Sequence, residues 1–67
     1  MRLARSIRMA LAREGVTQTW LAEQLGVKRA TVNNYCLGKG MPSHKRIEVI
    51  ADIFGMSVSE LYALGEK

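Results

Sequence analysis

The sequence predicts an all-α fold of five helices in one domain, 1–67, and three observations carry that prediction. Apolar residues recur at helical spacing, as where Ile47, Ile50, Ala51 and Phe54 repeat as i, i+3, i+4 and i+7. Aromatic residues make up only 6% of the chain and β-branched runs are few, which disfavours strands. Glycines and the single proline punctuate the periodic stretches and mark where helices stop. A hydrophobic fraction of 48% is enough for a packed globule. A chain this short buries only about 60% of its unfolded surface. It has room for one small core, and none for a second core or a deep catalytic cavity.

The first helix is expected from about Arg2 to Glu14. At about 100° per residue, Leu3, Ala4, Ile7, Ala10 and Leu11 share one arc, with Arg2, Arg5, Arg8 and Arg13 opposite as a solvated stripe. Gly15 ends it. The second helix opens after Thr17, an N-cap for Gln18 onward, with Val16 and Leu21 spaced for a hydrophobic staple. Leu21, Ala22 and Leu25 form its inward stripe. Trp20 falls about 100° off that stripe and is expected to pack against a neighbouring helix. Gly26 closes the helix with a positive φ that other residues adopt at a cost.

The third helix, about Arg29 to Leu37, restarts almost at once. With Arg29 at zero, Asn33 falls at about 40°, Ala30 at about 100° and Asn34 at about 140°. Val32 and Tyr35, at about 300° and 240°, lie on the other side. One face is therefore apolar. The other carries short polar groups beside a cation, where an ordinary solvent face would carry Glu and Lys. "LGKGMPS" is a loop. Ser43 caps a fourth helix that ends at Gly55, and "SVSE", Ser57 to Glu60, is a capping box for a short fifth helix through Leu64.

Net charge is +4, but the charges are polarised. Residues 1–46 hold nine Lys/Arg against two acids, +7, while residues 47–67 hold Lys67 against four acids, −3. A basic region on a small domain suits a polyanion. Cys36 stands alone, so no internal disulfide is available, and a buried reduced thiol is expected. No Cys/His spacing suggests zinc, and no apolar run approaches a membrane span. The Arg-rich opening has transit-peptide composition, yet it supplies apolar surface that the core needs and leads straight into further folded pattern.

A helix, a glycine turn and a second helix exposing Arg and Asn fit a helix-turn-helix at about 17–37 that reads DNA. Ala22 is small where two helices must cross, Gly26 permits the tight turn, and Leu21, Leu25 and Val32 lock the interhelical angle. The second of these helices can then enter a major groove, where each base pair shows a distinct donor and acceptor pattern.

The segment "TQTWLAEQLGVKRATVNNYCLGKGMPS" resembles the helix-turn-helix of the lambda-type repressor and Cro family, the broader Xre-like group. The resemblance rests on Gln18, Leu21-Ala22, Leu25-Gly26, Val32 and Gly38, with "GMSVSELYALG" similar to the family's short closing helix. It implies a compact five-helix lambda-repressor-like domain that binds operator DNA, usually as a homodimer, and that contains no enzyme or cofactor. By position, it makes Gln18 a phosphate contact that steadies the reading helix, turns Lys28, Arg29, Ala30 and Asn34 toward base edges, and brings Lys39 to the backbone. Thr17, at the same helix start, joins this candidate set.

Residue chemistry refines these roles. Arg29 suits guanine O6 and N7, Asn34 or Asn33 suits adenine, and Ala30 suits a thymine methyl, each good bidentate pair being worth about 1–3 kcal/mol of discrimination. Lys28 has two readings, phosphate or water. This chain has Arg29 and Ala30 where many relatives use glutamines, so no relative's operator transfers. Where some relatives tie the first helix to the third by a buried Arg–Glu pair, the matching positions are Leu11 and Cys36, an apolar contact.

Further expectations are blander. His44 is a surface histidine with no nearby partner carboxylate, Lys45 and Arg46 are either solvated or add long-range attraction to DNA, and Tyr35 is core with its hydroxyl reaching water or a phosphate. Met56, Val58 and Tyr62 either complete the core or form a two-fold dimer contact. The expected protein is a cytoplasmic regulator of a bacterial or phage-infected cell. It would be a repressor that excludes polymerase or a protein that touches polymerase from an adjacent site. The alternatives are an adaptor reusing the fold, or an antitoxin- or controller-type autoregulator. An enzyme finds no nucleophile–base pair, paired carboxylates or metal set in this chain.

Overall fold

In a computed structural model, described for residues 3–66, the chain forms α1 (Leu3–Glu14), α2 (Gln18–Leu25), α3 (Arg29–Leu37), α4 (His44–Ile53) and α5 (Val58–Glu66). No strand occurs among the described residues. Arg2, expected at the start of the first helix and in its cationic stripe, and Lys67 lie outside them.

The ends of the helices follow local chemistry. Thr17 accepts a hydrogen bond from the Trp20 amide at 3.0 Å, and Ser43 accepts one from the Arg46 amide at 3.2 Å. At the start of α5 the capping box is complete. The Ser57 amide donates to Glu60 Oε1 at 2.8 Å, and the Glu60 amide donates to Ser57 Oγ at 3.1 Å. The fifth helix continues past the expected Leu64 to Glu66, with Gly65 buried inside it. A residue with no side chain interrupts a helix less when its backbone is shielded and packed against a neighbour.

One core serves all five helices. It is built from Leu3, Ile7, Ala10 and Leu11 of α1, Leu21 and Ala22 of α2, and Val32, Tyr35 and Cys36 of α3. Ile47, Ile50, Ala51, Phe54 and Leu61 complete it. α1 packs chiefly on α5 and also on α3, while α2 packs chiefly on α3. Ser6 is fully buried between α1 and α5 and donates its hydroxyl to the Tyr62 carbonyl at 3.5 Å. Trp20 meets Phe54 with ring centroids 6.2 Å apart and planes tilted by 42°, so the residue off the inward stripe of α2 does pack on a neighbouring element.

Two surface expectations change. His44 Nε2 lies 3.9 Å from Glu48 Oε2, one helical turn on, so a carboxylate does stand beside it. Arg8 is not merely solvated: its Nη1 donates to the main-chain carbonyl of Cys36 at the far end of α3. No helix among the described residues is long and apolar enough to cross a membrane.

Candidate nucleic-acid interface

The turn between α2 and α3 is made by backbone geometry. Gly26 adopts φ 70° and ψ 33°, and its amide donates to the carbonyls of Ala22 and Glu23. The Val27 amide donates back to Ala22 at 3.0 Å. These bonds close α2 with a left-handed residue and let α3 begin three residues later, at Arg29. Leu21 and Val32 are fully buried and Ala22 is nearly so, which fixes how the two helices cross.

α3 turns Val32, Tyr35 and Cys36 into the core. Lys28, Arg29, Ala30 and Asn34 are exposed, as the angular arithmetic requires, whereas Asn33, at the middle of that arc, is half-buried. The Lys39 amide donates to the Asn34 carbonyl at 2.9 Å, and a Cβ built on Gly40 would stand 3.8 Å from that of Asn34. The loop thus brings Lys39 beside the far end of the same surface. Thr17 is exposed at the start of α2, where its oxygen accepts the capping bond and its hydroxyl proton remains free to donate. Gln18 is half-buried, and its Oε1 is buried without a hydrogen-bond partner among the described residues.

The start of α3 differs from those of α2, α4 and α5. Its N-cap is Lys28, whose side chain makes no capping bond; like α2 and α4 it also holds no acid in its first turn. An effective cap is worth about 1 kcal/mol, and a cation at the positive end of the helix dipole costs about 0.3–1 kcal/mol. A helix kept for packing alone would place Ser or Asp there. Lys28 and Arg29 instead add positive charge where the amides already point outward, which suits an anionic partner.

Leu37 belongs to this face and was not anticipated. It is 56% exposed. At about 80° from Arg29 on the helical wheel, it sits between Asn33 and Ala30 in angle. The same arithmetic, carried three residues beyond Asn34, finds it.

Residues 2–64 match the model of a family described as a helix-turn-helix domain. The chain belongs to that family. The assignment is consistent with the lambda-type, Xre-like resemblance, and it implies DNA binding by this helix-turn-helix domain. No curated protein and no solved structure matches the chain.

The remaining candidates lie elsewhere on the helix-turn-helix domain. Met56, Val58 and Tyr62 are half-buried and pack on the core from the α4–α5 side, each keeping some surface outward. Val49 of α4 is 45% exposed. Cys36 is buried, and burial pushes its thiol above the ordinary cysteine value while the Arg8 charge pulls it partly back. Among the described residues, no three His, Cys, Asp or Glu side chains lie together as a metal site would need.

Proposed function

We propose that this protein is a sequence-specific transcriptional regulator of the Cro or repressor type, reading double-stranded operator DNA in the major groove through α3. The observation that carries the reading is the exposed Lys28-Arg29-Ala30 start of an uncapped α3, with Asn34 one turn later and Lys39 beside it. Arg29 grips a guanine and Asn34, or Asn33, an adenine. Ala30 and the exposed Leu37 lie against thymine methyls. Thr17 and Gln18 at the start of α2, with Lys28 and Lys39, hold phosphates and set the register without reading sequence. The protein acts where DNA is, in the cytoplasm of a bacterial or phage-infected cell, by occupying an operator or by touching polymerase beside it.

A homodimer on a near-palindromic site fits the dimensions. One copy spans 27 × 22 × 21 Å, whereas adjacent major-groove half-sites lie about 34 Å apart. One copy cannot reach both, and Met56, Val58 and Tyr62 supply the surface for a second.

Enrichment of bound duplexes from a random pool, followed by titration of Arg29→Ala, tests the proposal. The variant should lose about 1–3 kcal/mol on the preferred duplex and become indifferent at one base pair. A wild-type ratio of preferred to scrambled binding in that variant would remove Arg29 from base reading. An adaptor reading has one observation in its favour, the exposure of Leu37 and Met41 near the same face. It predicts that the pool yields no preferred sequence at all.

A further inference from the structure

We infer that Arg8 is a positioning residue for DNA reading: from α1 it holds the C-terminal end of α3 and so sets the angle at which that helix is presented. The inference rests on the reading of α3 given above and adds a residue outside the proposed set of DNA contacts.

The last turn of α3 disposes of its carbonyls in order. The Gly38 amide donates to Tyr35 and Asn34, and the Lys39 amide donates to Asn34. The next carbonyl, of Cys36, receives Nη1 of Arg8, from a residue 28 positions earlier in the chain. α3 has no basic residue in its own last turn and no acid in its first. It therefore does nothing to balance its own dipole, and the cation that does so comes from another helix. A guanidinium is suited to this task, because its charge is permanent and its donors are held in a rigid fork. From that place the Arg8 charge also lowers the Cys36 thiol, against the larger upward push of burial.

The two ends of α3 are thus unlike. The reading end lacks a side-chain cap and carries Lys28 and Arg29, and the opposite end is pinned from outside. Leu11 and Cys36 both lie in the apolar core, and the Arg8 bond adds a polar tie between α1 and α3. Apolar packing leaves rotation about the helix axis comparatively soft. A directional bond at one end resists it.

Arg8→Gln, Arg8→Lys and, as a charge-matched control on the same helix, Arg13→Gln distinguish positioning from general support or simple attraction. Arg13 is exposed and lies 3.6 Å from Glu14. In the full chain without DNA, Arg8→Gln should speed hydrogen exchange of the Gly38 and Lys39 amides about tenfold more than that of the Leu61 amide in α5. On duplexes from the random pool, it should lower the preferred-to-scrambled ratio about five- to tenfold, with Arg8→Lys recovering part of the loss. Arg13→Gln should weaken both duplexes alike and leave the ratio unchanged. Equal acceleration at all amides, unchanged exchange, or faster local exchange with an unchanged ratio would each overturn the positioning role. A wild-type protein without duplex preference would instead overturn the DNA reading, and the exchange comparison would still decide whether Arg8 holds α3.

Discussion

Glu60 shows how much one side chain does at a helix start. The Ser57 amide, and then the Ser57 hydroxyl, hold its carboxyl below the ordinary glutamate value. Because the folded value is the lower one, the contribution to stability is present above the ordinary glutamate range and disappears as pH falls through and below it. Glu60→Gln should therefore lose stability near neutral pH and flatten the acid side of the stability curve, as followed by thermal unfolding between mildly acidic and neutral buffers. A curve parallel to that of the wild type would show that the capping box has no electrostatic part. This box was legible in the sequence, since Ser57 and Glu60 stand three apart before an apolar run. The Arg8 bond was not. Helical periodicity says which arc a residue occupies, but a long cationic side chain can reach from the edge of a solvated arc to a carbonyl on another helix. His44 and Glu48 were legible in principle, because a spacing of four brings any two helical residues together. Leu37 was legible by the same wheel that found Asn34.

At the scale of elements, the turn at Gly26 decides whether α2 and α3 form one unit. Nothing lies within 4 Å of a Cβ added there, so substitution meets strain in the backbone and no clash. Gly26→Ala should cost about 1–2 kcal/mol, seen as a lower urea midpoint with an unchanged m-value, and Gly26→Val should cost more. An Ala variant as stable as the wild type would mean that the φ of 70° is not retained in solution. The sequence placed this turn, and the N-caps at Thr17 and Ser43, because glycine and hydroxyl residues have narrow conformational uses. It was less informative at the end of α5. There burial of Gly65 extends the helix to Glu66, and burial depends on what the rest of the chain places against it.

For the whole molecule, the charge imbalance between residues 1–46 and 47–67 acts as a long-range field that no single contact describes. If each copy neutralises about two phosphates through Lys28 and Lys39, raising salt from about 50 to 200 mM should weaken binding roughly tenfold for one copy and roughly a hundredfold for a pair on one site. Fluorescence titrations at several salt concentrations read that slope, and a slope near zero would remove phosphate contact from the account. The overall fold was almost wholly legible, since five amphipathic stretches with marked ends have few ways to bury their apolar faces together. The pairing of α1 with α5 was not, because hydrophobic spacing names the buried face without naming its partner.

Trp20 is the chain's single tryptophan, half-buried on α2 and tilted against Phe54. The molecule therefore carries one intrinsic optical reporter, seated where the first helix of the motif meets the end of α4. Loss of that ring contact signals unfolding. If a duplex settles against the start of α2, as proposed, it changes the polarity around the same indole, so that folding and association can both be followed on unlabelled protein by its emission alone.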